Sequence, residues 1–505
     1  MMHQISLKKN IFVSYLSQAY VVLSGILVLP FYISEMGAEA YGLVGFFAML
    51  QAWFNLLDLG LTPTIARETA RMRAGAHDAL TYSRLFRALT LIFGLIALVG
   101  GSVLLMASDV ITQKWLHVQS LPMSEVRFAL QVMAISIALR WMTGLYRGVV
   151  SGSEQLVWLS GFNVIMASLR FLIIFPLMWQ FGATPKVFFT YQLGIAVIEF
   201  SALWFKSKSL LPNLTLAQQA ELGWSIKPIK SILGFSLSIA LTSGIWVLVT
   251  QTDKLIMSNL LSLENYGYFT LAVLVASGIM MVSGPISGAI MPRMAKLEAE
   301  GRHDEMIRIY RRSTQLVTII AGSVAIMLAA FAEPILYVWT GNRDIAEVAA
   351  PVMRLYAIGY GILAVGAFPY YLQYAQGKLK LHIAGSILFV VILLPILFWA
   401  TREYGMIGAG YAWLFVNLLY FLTWTFVVHH AYARGVHAQW LLYDIMALIA
   451  LPIGVAYVLS SVMQDGTRFV MLVEILIAGV IIVFFALFSS ASIREKIFIK
   501  LKREK

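Results

Sequence analysis

The 505-residue chain has no cysteine, and only 12% of its residues are charged. The first absence excludes disulfides, thiolate metal sites and cysteine nucleophiles. The second excludes a soluble globular domain, which carries roughly a quarter charged residues to cover its water-facing surface. A G-x-x-x-x-G-K-[ST] phosphate loop is also missing, so ATP hydrolysis by that route is excluded. No polar segment is long enough to hold a soluble domain between apolar runs: the largest, near 62–85, 206–229 and 292–313, are about two dozen residues each. What the chain does have is apolar. Hydrophobic residues make up 60% of it, the composition of a protein whose solvent is mostly lipid.

About fourteen apolar runs follow one another, from 11–33 to 469–490. Each is long enough to cross a ~30 Å hydrocarbon core as a helix. The expected architecture is an all-α integral membrane protein of about 14 transmembrane helices. Net charge is +12, and its placement matters more than its size. With the N-terminus put in the cytoplasm, 26 lysines and arginines fall in the inner segments and 6 in the outer loops. That asymmetry, strictly alternating, supports an even number of crossings with both termini cytoplasmic. Topology and anionic lipid at the inner face account for the basic tail, and no nucleic acid partner is needed. Ala38-Glu39-Ala40 looks like a signal cleavage site. The apolar stretch before it is longer than an h-region of about 7–15 residues, so an uncleaved first helix is expected.

The chain resembles itself at an offset of 225 residues. Tyr41-Gly42 opens the second run and Tyr266-Gly267 the eighth, and each leads through an apolar stretch to a basic segment starting at Arg67 or Arg293. An offset holding six runs, an even number, gives two copies of the same orientation. Two parallel six-helix lobes around a cavity make a transporter plan. The expected division is a first lobe over 1–206, a cytoplasmic linker over 207–229, a second lobe over 230–428, and two extra helices with the basic cytoplasmic tail over 429–505.

An ionisable side chain near mid-bilayer costs about 2.5–3.5 kcal/mol on insertion scales, so each one needs a reason. Arg140 stands on the fourth run with Ser136, Thr143, Gly144 and Arg147 on its helical face. Arg170 stands on the fifth with Ser160, Asn163 and Ala167. Two guanidinium groups aimed into one cavity suit an anionic headgroup, because they bind phosphate oxygens bidentately and never deprotonate. The alternative is an ion pair inside the bundle, with Glu199 or Asp58. Asp253 and Lys254 are expected to close the seventh run, as a salt-bridged turn or as cavity groups. Asp444 and Glu474 stand on the two extra helices as weaker candidates for a coupling proton. On the tenth run Tyr356, Tyr360 and Tyr374 fall near one face, with Pro369 as an expected kink. Such rings stack on sugars, and they also pack and anchor at interfaces. Gly144, Gly148 and Gly152 form a small-xxx-small run, the pattern of close helix contact. No partner cluster accompanies His429 and His430, expected in an inner loop, so no metal site is expected.

These residues carry a family resemblance. Leu29-Pro30-Phe31-Tyr32 through Ala40-Tyr41-Gly42, then Leu57-Asp58-Leu59-Gly60-Leu61 and Arg67-Glu68-Thr69-Ala70-Arg71, resemble the polysaccharide transport family of the MOP superfamily. That family includes the Wzx-type O-antigen and capsule-repeat flippases. Asp253-Lys254-Leu255-Ile256-Met257, followed by Tyr266-Gly267-Tyr268-Phe269, and then Pro292-Arg293-Met294, are similar to its second-lobe pattern. The resemblance implies a MOP/MATE-like fold of two pseudo-symmetric six-helix lobes enclosing a basic cavity, working by alternating access in the bacterial inner membrane without a cofactor. It implies transport, not catalysis. The cargo would be an undecaprenyl-pyrophosphate-linked oligosaccharide for O-antigen, capsule or exopolysaccharide synthesis. Further partners would be the polymerase and chain-length regulator of the same pathway. Arg140 and Arg170 would receive the pyrophosphate or acidic sugars, and the tyrosines the glycan. Lipid II flippases usually carry charge on the first helix, where this chain offers only Ser14, Gln18 and Ser24. A MATE-type multidrug or ion antiporter stays open as an alternative, although it would need an acidic cavity. So does a polytopic oligosaccharide polymerase or ligase, for which the longest outer loop, about 108–126, offers Asp109, His117 and Glu125.

Overall fold

The computed structural model describes residues 7–76, 78–223, 227–463 and 466–490. The basic segment 491–505 lies outside them. All regular structure among the described residues is helical, apart from one isolated bridge between His117 and Ser262. Among the described residues twelve helices are long and apolar enough to cross a membrane, which makes this a multi-pass membrane protein. One of the twelve, Lys380–Tyr432, is two helices joined at Gly405, whose φ of 57° and ψ of −139° interrupt it. A further helix, Leu263–Ala299, occupies the place of the eighth apolar run. The helices often outrun the apolar stretches: His303–Ala330 takes in Arg308, Arg311 and Arg312 in its first turns.

Contacts divide the chain into two units, Met1–Gly267 and Tyr268–Lys505. The break falls later than the lobe boundary expected near residue 230. The helix Lys227–Leu260 packs on Ala38–Phe54, Ala79–Val110 and Leu61–Arg73 of the first unit, and Ser236 Oγ donates to the Leu59 carbonyl. In each unit one crossing is the most buried. Met123–Gly152 and Arg343–Ala375 bury 56% and 61% of their apolar windows, against 20–44% for the other crossings. They start about one repeat length apart, so the internal repeat places the same helix at the heart of each unit. The remaining apolar faces point outward, as lipid-facing residues do in the absence of water to drive them inside.

Proline sets three breaks. Leu7–Leu27 gives way to Leu29–Met36 at Pro30, Leu156–Phe171 to Ile174–Phe181 at Pro176, and Arg343–Gly366 to Phe368–Ala375 at Pro369. Each ring removes a donor and crowds the carbonyl four residues back. The glycines of the small-xxx-small run let Leu61–Arg73 approach Met123–Gly152 closely. A Cβ on Gly152 would lie 2.2 Å from the Ala66 carbonyl oxygen. In the second unit, Ala447–Val462 and Arg468–Ser489 pack on each other and on His303–Ala330. Asp444, fully buried, ties that pair down by accepting from Arg311 Nε at 2.6 Å and Gln315 Nε2 at 2.7 Å. His429 sits in a helical last turn rather than a loop, buried against Tyr310, whose hydroxyl lies 2.6 Å from its Nε2.

Candidate functional site

Two helices of the first unit carry polar side chains at matching two-turn spacings. Arg140 and Arg147 lie seven residues apart on Met123–Gly152, and Gln192 and Glu199 seven apart on Pro185–Lys208. Seven residues rise about 10 Å and return to one face. The helices run in the same direction and in register, so both pairs close across the same 52-residue separation. Arg140 Nη2 donates to Gln192 Oε1 at 2.7 Å, and Arg147 Nη2 to Glu199 Oε1 at 2.5 Å. Other elements complete the set. Gln51 Oε1 accepts from Arg140 Nη1 at 3.3 Å, and Phe47 presents its ring 5.0 Å from the guanidinium carbon. Asn163 Oδ1 accepts from Arg147 Nη1 at 2.7 Å, and Arg170 Nη2 donates to Glu199 Oε2 at 2.5 Å.

The break at Pro176 is what aims Arg170. The helix Leu156–Phe171 ends one residue beyond it, leaving the carbonyls of the last turn without helical partners. Side chains from other elements take them up. Tyr191 donates to the Leu169 carbonyl at 2.6 Å, Gln192 Nε2 to that of Arg170 at 3.3 Å, and Tyr32 to that of Phe171 at 3.3 Å. A cation at a helix C-terminus is also favoured by the helix dipole. Gln192 therefore holds both arginines, one through its oxygen and the other through its nitrogen.

Two cavities meet at this network. The larger, 560 Å³, is lined by Gln51, Asp58, Arg140, Arg147, Arg170 and Glu199 among others, and by small residues of Lys227–Leu260 such as Ser243 and Gly244. The smaller, 420 Å³, is lined by Ser14, Ser17, Gln18, Ser160 and Asn163 and by the same Arg147, Arg170 and Glu199. The helical faces read from sequence recur in the linings: Thr143, Gly144 and Arg147 join Arg140 in the first, and Ser160, Asn163 and Ala167 join Arg170 in the second. Glu199 is nearly inaccessible, its side chain 6% exposed, whereas Arg147 and Arg170 are 30% and 24% exposed. Nε of Arg140 and of Arg170 is buried with no hydrogen-bond partner. Among the described residues Arg140 has no carboxylate within ion-pairing distance.

The other expected residues are dispersed. Asp58 lines the larger cavity, but its carboxylate is engaged locally. It accepts from Thr62 Oγ1 at 2.5 Å and from the Thr62 amide at 3.2 Å, capping the first turn of Leu61–Arg73. Asp253 and Lys254 do not close their helix, which has no breaker there and runs on to Leu260. Lys254 Nζ donates to the Thr250 carbonyl at 2.5 Å and lies 3.5 Å from Asp253. Tyr356 and Tyr360 are buried in the second unit against Trp413, at centroid distances of 5.6 and 5.0 Å, while Tyr374 is 45% exposed. Sequence reading passed over Gln51 and Gln192, and placed Arg147 on the helical face of Arg140 without naming it as a site residue. The seven-residue spacing of Gln192 and Glu199, matched by that of Arg140 and Arg147, was the available signal. Among the described residues no group of three or more His, Asp or Glu is placed to hold a metal ion.

Comparison with known proteins follows the same lines. A family model described as polysaccharide biosynthesis protein matches residues 187–344, somewhat under a third of the chain. A Shigella flexneri protein described as a candidate O-antigen transporter is 22% identical over 390 residues, covering 76% of this chain and 88% of its own. The lipid II flippase MurJ, in an inward closed conformation, superposes with a TM-score of 0.73 at 13% identity, over 97% of this chain and 99% of its own. An inward-facing MATE multidrug resistance transporter of the MOP superfamily superposes with a TM-score of 0.67 at 14% identity, over 83% and 96%. The fold is the one shared by these solved transporters, and the sequence resembles proteins described as polysaccharide biosynthesis protein and O-antigen transporter.

Proposed function

We propose that this chain is a flippase that moves undecaprenyl-pyrophosphate-linked oligosaccharide repeat units from the cytoplasmic to the periplasmic leaflet of the bacterial inner membrane by alternating access. The product would feed O-antigen, capsule or exopolysaccharide synthesis. One observation carries the reading: among the described residues Arg140, buried in a membrane-spanning helix, is bound by neutral amides and an aromatic face, with no carboxylate within ion-pairing distance, beside a 560 Å³ cavity. An isolated buried cation costs several kcal/mol unless something compensates it. A phosphate oxygen brought by the cargo is such a compensation, and the guanidinium fork is shaped for it. The cavity wall carries three arginines against the carboxylates of Glu199 and Asp58, a balance suited to an anion. The polysaccharide biosynthesis match and the Shigella relative support a glycan as the rest of the cargo.

The antiporter alternative needs an acidic cavity for cationic drugs, and the excess here is of the opposite sign. The polymerase or ligase alternative needs reactive groups converging in the 108–126 loop. There Asp109 pairs with Arg127 at 2.5 Å, while His117 Nε2 lies 2.8 Å from the Asn259 carbonyl. Glu39 fixes the loop by accepting from the amides of Gln119, Ser120 and Leu121. Asp109 and His117 have separate structural partners, and transport is the better reading.

The test is on the host. With the gene deleted, complete lipid-linked repeat units are expected to accumulate on the cytoplasmic leaflet. Repeat units that reach the outer leaflet unpolymerised would favour the enzyme reading, and unchanged glycan would reopen drug export.

A further inference from the structure

Glu199 is the one carboxylate shared by the two cavities, and both its oxygens are taken. Oε1 receives Arg147 and Oε2 receives Arg170, each at 2.5 Å. The wall between the 560 Å³ and 420 Å³ cavities is therefore an ion triad rather than packed apolar side chains. The triad is incompletely bonded on its cationic side. Arg170 offers Glu199 only Nη2, and its Nε, on the same edge of the guanidinium, is buried without a partner. An oxyanion engages a guanidinium best through two parallel donors. One that takes the Nε–Nη2 edge of Arg170 competes with Glu199 for Nη2.

We propose that Glu199 is a displaceable internal anion: the cargo's pyrophosphate replaces it on Arg147 and Arg170, and Glu199 takes the arginines back when the cargo leaves. The inference rests on the reading above that the cargo carries phosphate. Two consequences follow from the competition. The empty protein keeps Arg147 and Arg170 paired within the membrane, where unpaired cations are costly, so release of the cargo does not leave these two bare. The site also selects by charge. A pyrophosphate, with more charge and more acceptor oxygens than a carboxylate, displaces Glu199, whereas a monoester phosphate competes less well. Discrimination of this kind comes from an incumbent that weak ligands fail to remove. Displacement further opens the wall, so that the hydroxyl and amide groups of Ser14, Ser160 and Asn163 become continuous with the larger cavity.

The experiment is binding of farnesyl pyrophosphate and farnesyl monophosphate to the purified full-length protein in detergent, by calorimetry, for the wild type, Glu199→Gln and Glu199→Asp. Thermal unfolding is followed in parallel. The expected result is that Glu199→Gln binds pyrophosphate at least tenfold more tightly and loses much of its preference over monophosphate. Glu199→Asp, which keeps the charge but withdraws it by one methylene, should fall between. Equal or weaker pyrophosphate binding by a folded Glu199→Gln overturns the inference and leaves Glu199 a structural partner. If Glu199→Gln does not fold, weaker binding by Glu199→Asp than by the wild type overturns it equally. Absence of pyrophosphate binding in all three proteins would instead overturn the anionic-cargo reading itself, and the inference with it.

Discussion

Arg140 engages Gln51 and Gln192 through its terminal nitrogens and lies against Phe47. Neither amide needs that cation for its own satisfaction as strongly as a carboxylate would, so the residue adds little to stability. Replacement of a buried charge by an apolar group of similar length is commonly neutral or stabilising, by about 1–4 kcal/mol for ion pairs. Arg140→Met is therefore expected to leave the thermal midpoint unchanged or raised while reducing transport. Loss of a charge-assisted hydrogen bond to the cargo, about 1.5–3 kcal/mol, corresponds to a roughly ten- to hundredfold weaker complex. Transport at wild-type rate by a folded Arg140→Met would contradict this. Asp58 presents the reverse case. Its oxygens satisfy the Thr62 amide and hydroxyl, so Asp58→Ala is expected to cost about 1 kcal/mol of stability, seen as a lower unfolding temperature. Asp58→Asn retains an acceptor and should cost less. An Asp58→Ala protein of full stability and lost transport would move this residue to the cargo site.

At the scale of single elements, the repeat has a physical expression. Gly42 and Gly267, 225 residues apart, stand at two helix starts that touch: a Cβ on Gly42 would lie 2.1 Å from the Leu263 carbonyl oxygen, and one on Gly267 3.0 Å from that of Ala38. The obstacle is backbone and cannot swing away. Gly42→Ala is expected to destabilise the protein by about 1–3 kcal/mol or more. Gly94→Ala, with nothing within 4 Å of its Cβ, should be neutral or slightly stabilising through helix propensity. Equal thermal midpoints for the two variants would contradict the close approach. Elements were also where sequence reading was strongest. The apolar runs, the kink at Pro369, the glycine stripe of the fourth crossing and the helical faces around Arg140 and Arg170 were all legible, because each depends on residues close in sequence. Two features were not: which arginine meets which partner, and how far Lys227–Leu260 belongs with the first unit. Both depend on the register between helices. The clue to the first was the seven-residue spacing repeated on two helices. Tyr356 and Tyr360 show the limit of periodicity, which put them on one face and left open what that face meets. They meet Trp413.

For the molecule as a whole, we propose from the distribution of cations a topology with both ends of the chain on the cytoplasmic side. Alkaline phosphatase fused after Lys505 is expected to be inactive, and a cytoplasm-folding fluorescent protein at the same place bright. The opposite pattern would require an odd number of crossings and a revised topology. The central claim is that the arginine-lined cavity of the first unit carries the pyrophosphate of a lipid-linked glycan across the bilayer. It is tested most directly in proteoliposomes holding the purified protein and a labelled undecaprenyl-pyrophosphate oligosaccharide, with leaflet location read by an added glycan-cleaving enzyme that cannot enter. Rapid movement of the label between leaflets with the wild-type protein, lost in Arg140→Met, is the expected result. The claim would be contradicted by movement no faster than in protein-free vesicles, or by a folded Arg140→Met that moves the label as fast as the wild type.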